Sequence, residues 1–255
     1  SDWYLLAGRL ASVAMGLIGC LATFKTGELL FSKRAGVISA ILYIMSPMLL
    51  FYDRMALFDS SLTAMLITSV YFALRTGKTR KLRDGLLWGF FLGLAFLSKP
   101  TALVFLPLTV FAAFMTIPFK DTKKQLAKLG ALSLLAIVIA EIMNNLQRIS
   151  SAYPAMIRKN QQFQQPISEL LTNPFALTLG NLQGFFSWTV SYYTWPFFVF
   201  GLLAFLYGFR QKSQAAVSLF ILWFVPLFLL ATVGREIFPR YILFVVPYFL
   251  LIVSY

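Results

Sequence analysis

The chain has 255 residues, of which 59% are hydrophobic and 12% are charged, and its mean hydropathy is +0.78. A soluble domain would be roughly 25% charged, so this composition excludes one. The single cysteine and the lack of histidine exclude an internal disulfide, a Cys/His zinc cluster and a Ser-His-Asp triad.

Apolar runs long enough to cross about 30 Å of hydrocarbon recur along the chain between short polar breaks. They lack the strict alternation that a transmembrane β-barrel requires. The sequence therefore predicts an all-α fold, a polytopic transmembrane helical bundle that forms one domain over residues 1–255. We expect about nine spans, at residues 8–24, 35–52, 59–75, 85–98, 101–118, 129–147, 191–208, 214–233 and 239–255.

The basic residues are distributed unequally between alternate breaks, with 14 of the 22 on one side of the predicted membrane and 8 on the other. The positive-inside rule makes the first side cytoplasmic. The net charge of +13 then reflects topology and does not indicate a nucleic-acid partner. The cytoplasmic set is Lys25, Lys33, Arg34, Arg75, Lys78, Arg80, Lys81, Arg83, Lys120, Lys123, Lys124, Lys128, Arg210 and Lys212.

One long polar segment, residues 148–190, falls on the opposite, exofacial side of the predicted bundle. Prolines divide it, and residues 167–171 and 175–182 are predicted to form short helices on the membrane face. A predicted interfacial aromatic belt follows, made of Trp188, Tyr192, Tyr193 and Trp195.

The stretch FYDRMALFDSS, residues 51–61, places Arg54 and Asp59 between two predicted spans. Ionisable groups at a membrane edge mark ligand or substrate paths, which would make this pair part of an exofacial cavity. The alternative is that Asp59 stabilises the free N–H groups of the helix that it opens, with Arg54 as its surface partner. Both interpretations stay open on the sequence.

The predicted span before Lys99 is unusually short. It has about 14 residues, or roughly 21 Å of helix, so Lys99 should end below the outer membrane surface. A buried ammonium group needs a counter-ion, which would be Asp59 or an anionic ligand. Outward snorkelling of the lysine is the alternative.

A third group of candidates lies in the stretch GREIFPRY, where Arg235, Arg240 and Tyr241 flank an exofacial turn. Guanidinium groups suit phosphate oxygens, although Arg and Tyr are also ordinary interface anchors. Glu141, close to two asparagines, is interpreted as a satisfied polar group. Asp59 and Glu141 are the carboxylates available to a divalent cation, and no other cofactor is predicted.

These basic groups and carboxylates come from separate turns but share the predicted exofacial side. That placement favours a site for a phosphate-bearing amphiphile whose tail lies in lipid. A channel would need rings of like charge or carbonyls, and a transporter would place broken helices near the membrane midplane.

Three stretches carry a resemblance to a known family: SPMLLFYDRMALFD at 46–59, GLLWGFFLGLAFLSKP at 85–100 and PRYILFVVP at 239–247. In order and spacing they resemble the GT-C glycosyltransferases related to protein O-mannosyltransferases and lipid A aminoarabinose transferases. The resemblance implies an inverting transfer of a sugar from a polyprenyl- or dolichyl-phosphate donor. The acceptor would be a hydroxyl of a protein, glycan or lipid on the non-cytoplasmic face.

By position, the resemblance implies catalytic roles for Asp59 and Arg54, with Asp59 orienting the acceptor or the basic network. It implies binding of the donor phosphate by Lys99, Arg240 and Tyr241, and we place Arg235 in the same group. Basic groups there would stabilise the charge of the departing lipid phosphate.

The resemblance also implies that the family's first span and first outer loop, which carries its general base, precede residue 1. The chain is thus expected to be a fragment of a multi-pass protein, with a prokaryotic plasma membrane as its expected location. The alternatives are a flippase or permease for a lipid-linked substrate and a non-catalytic membrane subunit.

Overall fold

A computed structural model of the chain describes residues 2–116 and 122–255. Within these ranges the fold is all helical, as predicted, and no β-strand extends beyond an isolated bridge between Gln164 and Gly234. The helices are α1 (Asp2–Leu30), α2 (Lys33–Met45), α3 (Pro47–Tyr52), α4 (Phe58–Thr79), α5 (Leu82–Ser98), α6 (Phe105–Met115), α7 (Lys123–Leu146), α8 (Tyr153–Gln162), α9 (Ile167–Thr172), α10 (Thr178–Tyr193), α11 (Trp195–Arg210), α12 (Gln214–Val233) and α13 (Val246–Val253). Three 3₁₀ segments span Pro100–Val104, Gln147–Ile149 and Pro239–Val245.

Helix α4 is the central element of the bundle. It packs against α1, α5 and α6, and α5 in turn packs against α7. Helices α10 to α13 form the other part of the bundle, where α12 contacts α6 and α13 contacts α2. The fully buried apolar side chains of α4 include Leu62, Ala64, Leu66, Ile67 and Val70. Because α4 is buried on most of its circumference, the residues at its two ends are held in defined positions.

Large apolar side chains on the outer helices have a different environment. Leu17 and Leu21 on α1 and Phe200 and Leu203 on α11 are all more than half exposed. Such continuous apolar surfaces on long helices are suited to contact with lipid tails.

The lengths of the described helices agree with only some of the predicted membrane spans. Three described helices are both long and apolar enough to cross a membrane: Trp3–Leu30, Lys123–Ile149 and Gln214–Val233. The shorter apolar helices are Pro100–Met115 and Pro239–Val253. The count of nine spans therefore stays a prediction. Lys120 and the last two residues of the predicted span 101–118 lie outside the described residues.

The predicted span 191–208 is wrong at its beginning. Helix α10 runs to Tyr193, and α11 starts at Trp195 after a bend of 111°. Thr194, between them, has φ 67° and ψ 154°, a region almost reserved for glycine. Pro196 then occupies the first turn of α11. Hydropathy missed the break because aromatic residues continue on both sides of it.

The predicted exofacial segment is more helical than expected. The helix predicted at 167–171 corresponds to α9, whereas the one predicted at 175–182 begins only at Thr178 and continues as α10 past residue 190. Helix α8 was not predicted.

Two amides of this segment close the C-terminal end of α12. Asn181 Nδ2 donates to the carbonyls of Ala231 (2.9 Å) and Gly234 (2.8 Å), and Gln165 Nε2 donates to that of Thr232 (3.1 Å). The Gln165 backbone N–H donates to the Val233 carbonyl at 2.9 Å. The last carbonyls of a helix need such partners, and this pairing holds the turn that leads into residues 239–245.

We predict that Gly89→Ala destabilises the protein, because α5 and α7 touch backbone to backbone at this glycine. A β-carbon there would lie 2.7 Å from the Ala136 carbonyl oxygen and 2.8 Å from its Cα. Overpacking of this kind costs about 1–3 kcal/mol. Thermal unfolding in detergent measures the effect. The control is Gly130→Ala on α7, where an added β-carbon would find no described atom within 4 Å beyond its own turn of helix, so we expect no loss of stability. Equal melting temperatures for the two variants would contradict the prediction.

Candidate functional site

Asp59 lies in the first turn of α4 and is 4% exposed. Its Oδ1 accepts a hydrogen bond from Lys99 Nζ at 2.5 Å. The carboxylate thus lies at the positive end of the α4 dipole, and its contact with the lysine is a charge-assisted hydrogen bond. Asp59 therefore lies where a carboxylate stabilises the free N–H groups of its helix, and it also contacts a residue from a distant turn. Its membership of an exofacial cavity stays a prediction.

Lys99 occupies the junction between α5 and the 3₁₀ segment Pro100–Val104. Its extended backbone (φ −156°) ends α5, and Pro100 starts the next element. The ammonium group reaches Asp59 and lies 5.1 Å from the centroid of the Tyr241 ring. Its side chain is 24% exposed, and a counter-ion within hydrogen-bond distance replaces the snorkelling that the sequence left open.

Arg240 comes from the C-terminal part of the chain, on the 3₁₀ segment Pro239–Val245, which packs against α4. Its Nε lies 4.0 Å from Asp59 Oδ2, which is an ion pair but too long for a hydrogen bond. Its guanidinium lies over the rings of Phe238 (5.0 Å) and Tyr241 (5.8 Å). The buried Nε–H finds no hydrogen-bond acceptor among the described residues. A buried donor in this state is favourably placed for an incoming oxygen ligand.

The charges at this site do not cancel. Asp59 contributes one negative charge, whereas Lys99 and Arg240 contribute two positive charges around it. Tyr241 supplies the aromatic surface that both cations contact. The arrangement can therefore attract one further anionic group, such as a phosphate.

The structure brings Asp59, Lys99, Arg240 and Tyr241 together and leaves the two other candidates elsewhere. Arg54 is exposed, and its Nε donates to the Leu50 carbonyl at 2.9 Å at the end of α3. Arg235 is exposed, and its backbone N–H donates to the Phe163 carbonyl at 2.9 Å. In the described parts of the chain neither makes an ion pair with Asp59. The spacing of residues along the sequence could not show that Arg54 and Arg235 lie apart from Asp59. The backbone conformation of each turn decides the direction of its side chains, and spacing does not reveal that conformation.

Glu141 behaves as the polar group that the sequence suggested. Its Oε2 accepts from Asn144 Nδ2 at 3.2 Å, and its carbonyl accepts from Asn145 Nδ2 at 2.7 Å. Residues 2–116 and 122–255 assemble no group of three or more His, Cys, Asp or Glu side chains that could hold a metal ion.

Two residues near the charges were not singled out as ligands by the sequence. The hydroxyls of Tyr52 on α3 and Tyr192 on α10 lie 3.5 Å apart. Both helices contact the 3₁₀ segment that carries Arg240. Tyr52 stands two positions before Arg54, in a stretch that the sequence analysis selected as a candidate site. Tyr192 was predicted only as part of an interfacial aromatic belt.

Asp53, in the turn between α3 and α4, is the second buried carboxylate of this region. It is 9% exposed, and its Oδ1 has no hydrogen-bond partner within the described part of the chain. It packs against Gly16 of α1, where any β-carbon would lie 2.6 Å from Oδ2. Burial raises the pKa of Asp53 from 3.8 to about 6, and the Ser60 hydroxyl partly opposes this effect.

The Asp59–Lys99 pair is predicted to be strongly coupled. Asp59→Asn and Lys99→Met should each lower the free energy of unfolding, because each leaves a partly buried partner without its counter-charge. The double variant should lose less than the two single losses together, with a coupling of about 1–3 kcal/mol in a double-mutant cycle. Glu28→Gln is the control, since the Lys25–Glu28 pair is exposed to solvent and should contribute little to stability. Additive losses at Asp59 and Lys99 would argue against the pair.

We expect Asp53→Asn to stabilise the protein at pH 7.5. A carboxyl whose pKa is raised in the folded state makes its full contribution to the free energy of unfolding below pH 3.8. That contribution is lost as the pH rises through about 6. The two values differ by about two pH units, which corresponds to about 3 kcal/mol. Melting temperatures measured from pH 4 to pH 8 provide the test. The variant should melt at a higher temperature than the parent above pH 6 and at the same temperature near pH 4.

The matched control for Asp53 is Asp84, a buried carboxylate that does have partners. Asp84 Oδ2 accepts from Thr79 Oγ1 at 2.7 Å and pairs with Arg75 Nε at 3.1 Å. Asp84→Asn should therefore destabilise the protein at pH 7.5. A loss of stability in both variants at that pH would show that Asp53 is also paired.

Solved structures share this fold. ArnT from Cupriavidus metallidurans in the apo state matches with a TM-score of 0.62 and 16% identity, covering 96% of this chain and 44% of that one. The oligosaccharyltransferase AglB from Archaeoglobus fulgidus, in complex with an inhibitory peptide and a dolichol-phosphate, matches with a TM-score of 0.58 and 14% identity, covering 97% and 38%. At these identities the likeness concerns the fold, and the chain spans less than half of either protein.

A match to a family model adds sequence evidence to the shared fold. No curated protein matches the sequence. The family model of dolichyl-phosphate-mannose-protein mannosyltransferases matches residues 4–143, which include Asp59 and Lys99. This match and the structures confirm the resemblance to GT-C glycosyltransferases, and with the apolar helices they identify an integral membrane protein. The chain belongs to the dolichyl-phosphate-mannose-protein mannosyltransferase family.

Proposed function

We propose that this chain forms the lipid-phosphate site of a membrane glycosyltransferase. The enzyme would move a sugar, with inversion, from a polyprenyl- or dolichyl-phosphate donor to an acceptor hydroxyl on the non-cytoplasmic face. The observation that carries the proposal is the buried Asp59 carboxylate, which holds Lys99 at 2.5 Å and Arg240 at 4.0 Å. Among the described residues the Arg240 Nε–H has no hydrogen-bond acceptor.

The positive groups suit the leaving group of such a reaction. As the acceptor oxygen bonds to the anomeric carbon, the bond from that carbon to the phosphate oxygen breaks and negative charge grows on the lipid phosphate. Lys99 and Arg240, already oriented by Asp59 and by the ring of Tyr241, would stabilise that charge without reorganisation. Their orientation in advance is what makes the stabilisation effective.

Asp59 suits an orienting role better than proton removal. Its carboxylate is already engaged by an ammonium and a guanidinium, which leaves it poorly placed to receive the proton of an acceptor hydroxyl. The proton of the attacking hydroxyl would then need a different carboxylate.

The donor assignment draws support from the family and from one related structure. The family description names dolichyl-phosphate-mannose as donor and protein as acceptor, and AglB was solved with a dolichol-phosphate. The apolar faces of the outer helices would take the lipid tail beside the charged head group. The excess of basic residues on the opposite side of the predicted bundle supports a non-cytoplasmic site. We propose a protein, glycan or lipid hydroxyl as acceptor.

The test supplies a labelled polyprenyl-phosphate sugar to membranes that contain the full-length protein. Asp59→Asn, Lys99→Met and Arg240→Ala should each lower the transfer of label by about 10²–10³-fold, the usual effect of losing a group that stabilises transition-state charge. Arg210→Ala is the control, because Arg210 is exposed at the end of α11 and, among the described residues, no hydrogen bond or ion pair joins it to Asp59, Lys99 or Arg240. It should transfer at the parental rate.

Two outcomes would overturn the proposal. Unchanged transfer in the Asp59 and Arg240 variants would remove the site assignment. Movement of the labelled lipid across proteoliposomes without any new glycosidic bond would indicate a flippase. Arg54→Ala and Arg235→Ala, measured in the same assay, decide whether these two exposed arginines take part despite their separate positions.

A further inference from the structure

A pair of tyrosine hydroxyls lies beside the charged site and has no part in holding its charges. Tyr52 closes α3, and Tyr192 lies near the end of α10, 140 residues along the chain. The fold brings their hydroxyl oxygens to 3.5 Å and their ring centroids to 6.3 Å. Two neutral groups that are each donor and acceptor thus meet next to two cations.

Tyr52 is held firmly. Its side chain is 8% exposed, and its ring meets the edge of Phe51 at 5.0 Å. Helices α3 and α10 both contact the 3₁₀ segment that carries Arg240, and the hydroxyl of Ser60, next to Asp59, donates to the Tyr52 carbonyl at 3.5 Å. A ligand whose anionic group sits at Arg240 would therefore lie against the elements that carry the two tyrosines.

Tyr192 is half-buried, and its neighbour shows what a structural tyrosine does in this helix. The Tyr193 hydroxyl is buried and makes a 2.8 Å hydrogen bond with Ser46 at the α2–α3 break. That contact fastens α10 to α3. The Tyr52–Tyr192 contact, at 3.5 Å, is at the limit of a hydrogen bond and adds little to the same junction. A contact this long is easily replaced by a ligand oxygen.

We infer that Tyr52 and Tyr192 form a neutral subsite that binds the sugar of the lipid-phosphate donor, while Lys99 and Arg240 bind its phosphate. The inference rests on the proposed function and deepens it. A sugar hydroxyl both donates and accepts, so it can bond to both phenols and exchange one weak contact for two good ones. A bare phosphate offers only acceptors and gains more from the neighbouring cations.

The test measures binding to the full-length protein in nanodiscs with two probes, polyprenyl phosphate and polyprenyl-phosphate mannose. The parent protein should bind the mannose form more tightly. Tyr52→Phe and Tyr192→Phe each remove one oxygen and should weaken that form by about 3- to 10-fold, leaving polyprenyl phosphate within about twofold. Arg240→Ala should weaken both probes.

Tyr193→Phe is the matched control. It removes a hydroxyl from the adjacent residue, so it should lower thermal stability without changing the ratio of the two affinities. A purely structural role for Tyr52 and Tyr192 would give the same pattern as this control. If Tyr52→Phe does not fold, Tyr192→Phe tests the same subsite from a half-buried position.

The outcomes separate the two claims. Equal weakening of both probes by the Tyr→Phe changes, no weakening of either, or equal parental affinity for the two probes would overturn the sugar subsite while leaving the phosphate site in place. Failure of the parent to bind either probe would overturn the proposed function itself.

Discussion

The site depends on one carboxylate. Asp59, buried at the positive end of α4, is the anion around which an ammonium and a guanidinium from two distant turns are arranged. In a chain with so little charge, an unpaired ion at this depth would be costly, so the three groups stabilise one another. Removing the central anion would leave two like charges close together. The same excess of positive charge makes the site suitable for a phosphate.

The rest of the fold delivers these groups to that anion. The buried helix α4 fixes Asp59, and the short helix α5 stops early enough for Lys99 to turn back toward it. Residues Gln165 and Asn181 close the end of α12 and hold the turn before Arg240. The bend at Thr194 lets α10 end against α3, which places Tyr192 beside Tyr52. Local backbone strain at one residue thus helps to form the neutral side of the site.

Sequence reasoning named Asp59, Lys99, Arg240 and Tyr241 because ionisable and amphipathic groups stand out in an apolar chain. The same signal named Arg54 and Arg235, which lie elsewhere. The presence of a charge does not tell in which direction a turn orients the side chain that carries it. Sequence reasoning passed over Tyr52 and Tyr192, because a tyrosine in an aromatic-rich membrane protein is not unusual. It also gave no sign that Asp53 would be buried against Gly16 with one carboxylate oxygen that finds no partner among the described residues.

Composition and hydropathy by themselves determined that the protein is a helical membrane protein, since a chain 59% hydrophobic and 12% charged cannot cover a water-facing surface. Local residues determined several helix ends, such as Ser46 with Pro47 before α3 and Lys99 with Pro100 after α5. Only the tertiary structure decided which charges meet, which tyrosines join them and where α10 bends. Those outcomes depend on contacts between residues 40 to 181 positions apart, and no local pattern encodes such contacts.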